Sequence, residues 1–505
     1  MIDMRSSTVA DVLRRSAARV PQRVALRFGD REWTYARLDA AVSRAAAALL
    51  GRGLRKGDRV AAYGRNSDAY LIGFLACARA GLVHVPINYN LAGDELRYLL
   101  EQSGSGAVLV DPDLESNVDA SEAPANRLAL RDAPGSLLEL ANISDPAELD
   151  VEVTDGDLVQ LLYTSGTTSR PKGAMMNHRA LLHEYLSCLT ALDMAEDDEP
   201  LHVMPLYHSA QMHVFLLPAL MIGATNELLE TPDPSDILRR IERHGHRSFF
   251  AAPTLWVALA NHPDFAERDL RSLRKAYYGA SIMPVPVLNR LREALPELGF
   301  YNCFGQSEIA PLATVLRPEE HAERADSAGR PVLFVELRVV DTEGKDVPPG
   351  ELGEVVYRSP QLCTGYWDKP EETAEAFTGG WFHSGDLVRR DEEGYIYVVD
   401  RIKDVINTGG VLVASREVED ALYTHPSVGE VAVIGVPDEK WIEIISAVVV
   451  PKAEEDRATE AELIEHVKGQ LASFKAPKRV HVVTELPRNA SGKLLKRVLR
   501  DQFAG

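Results

Sequence analysis

The stretch YTSGTTSRPKG, Tyr163–Gly173, puts five serine and threonine hydroxyls, two glycines, one arginine and one lysine into eleven positions. Backbone N–H groups freed by glycine, hydroxyl donors and an ammonium together suit a phosphate. The common phosphate loop ends Gly-Lys-Ser/Thr and feeds its lysine into a helix. Here Pro171 precedes Lys172 and Gly173 follows it, so the chain is biased toward extended conformation at that point. The plain alternative is a solvated turn between the apolar run LVQLLY and the later HRALLHEYL, and composition alone does not separate the two.

The remainder of the chain bounds the answer. Its 505 residues suffice for a large core and a smaller companion domain. With 45% apolar and 26% charged residues it has the make-up of a globular enzyme and not of a disordered chain. A net charge of −20 argues against nucleic acid or an anionic membrane as the main partner, so a polyanionic ligand must be met by local cations. Cys77, Cys188, Cys303 and Cys363 are scattered without metal-ligand or redox spacing and read as small buried apolar residues. The start, MIDMRSSTVADVLRRSA, lacks the apolar segment of a signal peptide, and the apolar stretches are too short or interrupted to span a bilayer. The expectation is a cytoplasmic protein without a membrane span.

Helical and strand periods alternate through the first part. VADVLRRSAARVP and YARLDAAVSRAAAALLGRG read as amphipathic helices, DRVAAYG and GAVLVD as short buried strands. That alternation predicts a layered α/β domain. From about residue 330 the texture changes to strands and glycine turns, as in VELRVVDTEGKDVPPGELGEVVYRS and GYIYVVDR. Beyond Arg401 a helix in SREVEDALYTHP, strands in EVAVIGVP and IISAVVVP, a helix in TEAELIEHVKGQLASF and a strand in RVHVVTELP outline a small α+β domain. The expected division is a large domain over 1–399, a hinge over 400–403 and a mobile domain over 404–505.

Five further segments follow YTSGTTSRPKG in order: YGAS (278–281), NCFGQSE (302–308), WFHSGD (381–386), DRIKDVI (400–406) and PRNASGK (487–493). The set resembles the adenylate-forming superfamily of acyl- and aryl-CoA synthetases, peptide-synthetase adenylation domains and luciferases. Its texture is closest to bacterial fatty-acyl- or aryl-CoA synthetases, and the resemblance covers essentially the whole chain.

The resemblance implies an AMP-forming ligase that uses ATP and Mg²⁺, with CoA as co-substrate. By it, Thr164, Ser165, Gly166, Thr167, Thr168 and Lys172 hold the β- and γ-phosphates, on a loop able to cover and release pyrophosphate. Gly279, Ala280 and Ser281 lie along adenine, and Phe304 stacks on it where the family more often has tyrosine. Ser307 meets the α-phosphate or substrate carboxylate. Glu308 is the carboxylate for Mg²⁺, a hard ion suited to oxygen ligands. Asp386 accepts the ribose hydroxyls and Arg401 contacts ribose or phosphate. Lys403 is the hinge position. Lys493 offsets the charge that develops as an oxyanion attacks the α-phosphate; taken alone, GKLLKRVLR reads as a solvated basic tail. Gly409 and Gly410 border the thiol channel, and His208, Gln211, Met212, Tyr278 and Ile309 line the acid pocket. Each of the last five is equally a packing residue on its own chemistry.

One departure bears on the acceptor. Close relatives carry Glu-Asn where this chain has Val411-Leu412, which alters the face expected to serve the second half-reaction and leaves the adenylation motifs intact. The bland reading is harmless packing. The sharper one is a different acceptor, such as the diazotase branch of this fold, which activates nitrite for reaction with an aromatic amine and needs no CoA. Sequence leaves open whether the acid is alkyl or aryl, whether the acceptor is CoA, a carrier protein or an amine, and whether the chain is a homodimer.

Overall fold

A computed structural model of the chain describes residues 7–121, 124, 126–143, 149–164, 170–279, 283, 285–438, 440–453, 458–488 and 494–503. The chain divides into two compact units, a larger one from Met1–Ser165, Pro171–Glu336 and Arg358–Phe377, and a smaller one chiefly from Leu337–Tyr357 and Thr378–Gly505. The architecture is mixed α/β, with a large N-terminal and a smaller C-terminal part.

In the larger unit a six-stranded sheet runs in the order Arg127–Ala129, Ala107–Val110, Arg59–Tyr63, Val83–Ile87, Leu158–Thr164 and Lys172–Asn177. All neighbours are parallel except the last pair. The strands Val83–Ile87 and Ala107–Val110 are buried at every position, the continuous apolar texture of strands covered on both faces. The helix Asp68–Arg79 packs in the same core and is buried from Asp68 to Ala78, so it is apolar nearly all round. Leu71, Ile72, Phe74 and Leu75 each stabilise this core by about 1.5–3 kcal/mol. Asp68 is tolerated there because Arg31 Nε, at 2.7 Å, and Trp33 Nε1, at 2.8 Å, donate to its carboxylate.

A nine-stranded sheet follows the order Arg330–Pro331, Leu312–Leu316, Gly299–Gly305, Lys275–Gly279, Ser248–Phe250, Leu201–His202, Asn226–Leu228, Val24–Phe28 and Arg31–Thr34. Its middle is parallel, and antiparallel pairs close both edges. The two helices expected near the start are present as Val9–Arg19 and Tyr35–Gly51, the second capped by Thr34, whose hydroxyl accepts from Arg37 N.

The smaller unit holds a four-stranded sheet, Glu336–Val340, Leu352–Arg358, Phe382–Arg390 and Ile396–Arg401. It also holds a five-stranded one in which Ile442–Pro451 is flanked by Val428–Asp438 and Arg479–Val482 and extended by Ile406–Thr408 and Val411–Val413. Helices Ser415–Tyr423 and Glu460–Lys468 pack their apolar faces on that sheet. The stretch that reads as a solvated basic tail is partly a helix, Lys496–Phe503. Leu499 is buried, and Lys496 Nζ donates to Glu419 at 2.7 Å and to Ser415 Oγ at 2.6 Å. An amphipathic pattern with one strong apolar anchor outweighs its charge density. Cys77, Cys188 and Cys363 are buried and Cys303 half-buried; all four are free thiols. No described helix is long and apolar enough to cross a membrane.

Candidate active site

The segment read first as phosphate-binding connects two antiparallel neighbours. Thr164 ends one strand, Lys172 begins the next, and the two residues are register partners. Lys172 therefore projects from a pleated strand, in keeping with the extended bias that Pro171 imposes. The segment 364–367 runs alongside: Met175 N donates to Gly365 O at 2.9 Å, and Trp367 N to Gly173 O at 2.8 Å. These bonds fix Tyr366, whose ring faces the Lys172 ammonium with its centroid 5.2 Å away.

Tyr366 also donates its hydroxyl to Glu308 Oε1 at 3.1 Å, and Thr164 Oγ1 donates to the same oxygen at 3.2 Å. Glu308 sits in a single 3₁₀ turn, Ser307–Ile309, just past the strand Gly299–Gly305, and is buried at 8% exposure. Its carbonyl accepts from Cys363 N at 2.8 Å, which holds the turn to the segment bearing Tyr366. Among the described residues, Glu308 has no ion-pair partner. Ser307 Oγ lies 3.0 Å from Ser209 Oγ. Thr164 and Lys172 on one side and Ser307 and Glu308 on the other, far apart in sequence, are thus tied together through Tyr366 and the 307–309 turn. Tyr366 was missed because CTGYWD carries no charge pattern of its own.

Gly279 ends its strand beside Cys303, and a Cβ there would lie 2.2 Å from the Cys303 carbonyl oxygen. The glycine is required by backbone crowding between adjacent strands. Phe304 is half-buried on the neighbouring strand. Tyr278 is buried, and its hydroxyl meets His321 Nε2 at 3.0 Å while His321 Nδ1 donates to Arg317 O at 2.7 Å. Burial pushes the Tyr278 phenol up and the His321 imidazole down to about 4, so both are neutral near pH 7.

Of the acid-pocket candidates, Gln211 and Met212 fall on a π-helical turn, Ala210–Leu216, His208 just before it, Tyr278 on the strand Lys275–Gly279 and Ile309 in the 307–309 turn. Gln211 is fully buried: its Oε1 accepts from Met204 N at 3.0 Å and its Nε2 donates to His202 Nδ1 at 2.8 Å. Met212 and Ile309 are also fully buried, and His208 is half-buried with Nδ1 accepting from Ala210 N at 3.3 Å.

In the smaller unit, Asp386 and Arg401 are cross-strand partners, and Arg401 Nε donates to Asp386 Oδ1 at 2.6 Å. The Asp386 side chain is only 5% exposed. Lys403 is exposed in the 3₁₀ turn Ile402–Asp404, and its carbonyl accepts from Arg500 at 3.4 Å. Gly409 and Gly410 both adopt positive φ, +67° and +88°. Gly409 N donates to Trp441 O at 2.6 Å, and a Cβ at Gly409 would lie 2.9 Å from the Trp441 ring. Val411 and Leu412 do not pack away: they are 46% and 68% exposed. Trp441 is 38% exposed, with the ammonium groups of Lys440 and Lys478 at 5.2 and 5.5 Å from its ring, and Phe474 is exposed beside Lys475. Sequence reading missed this aromatic and basic surface because its residues come from two separate loops.

Ser165, Gly166, Thr167, Thr168, Ala280, Ser281 and Lys493 lie outside the described residues.

Residues 13–367 match the AMP-binding enzyme family, and residues 417–493 match the AMP-binding enzyme C-terminal domain. The chain is 40% identical to a feruloyl-CoA synthase of Amycolatopsis sp over 489 residues, covering 97% of this chain and 98% of that protein. It is 34% identical to an indoleacetate–CoA ligase of Aromatoleum aromaticum, covering 97% of each. Its structure resembles that of the o-succinylbenzoate CoA synthetase of Bacillus subtilis in complex with its acyl-adenylate intermediate, with a TM-score of 0.89, 30% identity and 99% coverage of both chains. The protein is accordingly an AMP-forming ligase of the AMP-binding enzyme family.

Proposed function

We propose that this chain joins an aryl-bearing carboxylic acid to CoA in two steps driven by ATP. A carboxylate is a poor acyl donor because its charge repels nucleophiles and oxide leaves badly. In the first step its oxygen attacks the α-phosphorus of ATP and pyrophosphate departs, giving an acyl-AMP anhydride. In the second the thiol of CoA attacks the acyl carbon, the acyl–oxygen bond breaks toward AMP, and the thiol proton is released.

The observation that carries this reading is the convergence on Glu308. A buried carboxylate with two neutral hydroxyl donors and no described counter-cation is costly unless a cation joins it, and its hard oxygens fit Mg²⁺. Bound there with ATP, Mg²⁺ would supply charge neutralisation to the phosphates. Thr164 and Lys172, at the two feet of the 165–171 connection, hold the outer phosphates together with Ser165, Gly166, Thr167 and Thr168. Ser307 orients the carboxylate or α-phosphate. Phe304 stacks on adenine beside Gly279, Ala280 and Ser281. Asp386, oriented by Arg401, accepts the ribose hydroxyls. Lys493 supplies the last positive charge at the α-phosphate, on a domain, 404–505, that moves about 400–403.

Trp441 supports CoA as the acceptor. An exposed indole flanked by two ammonium groups, beside Gly409 and Gly410, suits a purine ring that carries phosphates, which nitrite activation does not require. The aryl preference rests on the feruloyl and indoleacetyl groups in the two relatives' names. Pyrophosphate release from Mg-ATP with ferulate, indoleacetate, anthranilate, a long-chain fatty acid, or nitrite plus an aminoaryl acid tests the whole reading. The expected result is release with an aryl acid, followed by CoA-dependent thioester. Formation of ADP and phosphate, or nitrite-dependent AMP without CoA, would overturn it.

A further inference from the structure

We infer that Glu227, His244 and His246 form a binding site for a divalent transition-metal ion of the Zn²⁺ type in the larger unit, separate from the Glu308 cluster. Glu227 lies on the strand Asn226–Leu228, His244 closes the helix Pro234–His244, and His246 follows two residues on. One carboxylate oxygen, Glu227 Oε2, is approached by His244 Nδ1 at 2.5 Å and by His246 Nε2 at 3.0 Å. All three ligand atoms lie within 4.8 Å of one another. Two imidazole nitrogens and one carboxylate oxygen are a ligand set that Zn²⁺ takes with a fourth position open, at ligand separations of about 3.3 Å for a tetrahedral site. The His246 contact is about 0.3 Å short of that spacing and the His244 contact about 0.8 Å short, so the His244 ring must move by most of an ångström.

The surroundings independently point the same way. His246 Nδ1 lies 2.6 Å from the Glu199 carbonyl, which can only accept, so Nδ1 donates there and Nε2 is the ring nitrogen turned toward the cluster. A ring nitrogen donating to a backbone carbonyl while the other faces an ion is the usual support of a metal-bound histidine. Glu227 Oε1 is held by Arg240, itself held by Asp236 Oδ2 at 2.9 Å, which leaves Oε2 to ligate through one oxygen. Glu227 and His246 are buried at 2% and 1%, whereas His244 is 25% exposed, so the open position faces solvent through the His244 side. Such an ion would tie the end of the helix to the strand, and its binding would raise the unfolding temperature.

The test uses untagged full-length protein stripped with chelator, dialysed against Zn²⁺ and assayed by elemental analysis, with Co²⁺ absorption as a second readout. The expected result is one ion per chain, a tetrahedral Co²⁺ spectrum and a higher unfolding midpoint with metal. Binding should weaken by about tenfold or more in His244→Ala and in Glu227→Gln. His244 is the less buried of the two histidines, at 25% exposure, so the first variant disturbs packing least, and circular dichroism checks both. No saturable binding at micromolar Zn²⁺ by the folded wild type, or binding unchanged in the two variants, would overturn the inference.

Discussion

Thr164 and Glu308, 144 positions apart, meet in a 3.2 Å hydrogen bond from the threonine hydroxyl to the carboxylate. The bond links the end of one sheet's strand to the turn that follows a strand of the other. Because Tyr366 donates to the same oxygen, the orientation of Glu308 is set by two neutral donors, and among the described residues it has no ion-pair partner. Glu308→Gln should keep this geometry and lose the ion site, lowering acyl-AMP formation by about a hundredfold or more and weakening its Mg²⁺ dependence. Tyr366→Phe removes one donor only, and should lower kcat/KM by about three- to tenfold. Pyrophosphate release across a Mg²⁺ series measures both.

Asp386→Asn leaves Arg401 without its 2.6 Å anionic partner and removes the proposed ribose acceptor. Isothermal titration should find ATP affinity reduced by about ten- to a hundredfold, the range for losing a charge-assisted pair. Undiminished ATP affinity would dissociate this pair from the nucleotide.

Lys493→Ala should separate binding from chemistry. ATP affinity is expected to stay near wild type, while adenylate formation falls by about two to three orders of magnitude, as expected for a cation that acts in the transition state. Thioester formation from synthetic acyl-AMP and CoA, assayed directly, should be spared.

Gly279→Ala tests the crowding between strands. The added methyl would lie 2.2 Å from the Cys303 carbonyl oxygen, so the strands must part or shift, destabilising the larger unit by about 1–3 kcal/mol in urea unfolding.

Acid should weaken the larger unit well before its carboxylates titrate. Burial lowers His84 and His213 to about 3 and His178, His202 and His321 to about 4. The folded chain keeps these imidazoles neutral, and the unfolded chain protonates them near pH 6.5. Below that value the unfolded state binds more protons, so their stabilising contribution is complete above about pH 6.5 and declines as pH falls toward 4 and 3. Each adds up to about 1.4 kcal/mol per pH unit to the slope. Urea midpoints between pH 7 and 5 should therefore drop, and His213→Gln should shallow the slope by one proton's worth.

The framework of this molecule was readable because its signals are local. Pro171 before Lys172 announces an extended lysine, and the runs DRVAAYG and GAVLVD announce the buried strands Arg59–Tyr63 and Ala107–Val110. What could not be read depends on pairings across long separations. Gln211 looked available for an acid pocket, yet its amide is occupied by Met204 and His202. Tyr366 and Trp441 carry no spacing pattern, and their surroundings exist only after folding. His84, Gln160, His213 and Tyr185 form one buried hydrogen-bonded chain drawn from four separate segments, which no periodicity foretells.

Lys172 is delivered by a pleat, and a pleat has parity. Side chains alternate between the two faces of its strand, so removing a single residue between Lys172 and Asn177 would send the ammonium to the back of the sheet, while removing two would return it to the front. Odd and even length changes in this short strand should consequently have opposite fates, a rule that natural drift and deliberate redesign must both obey.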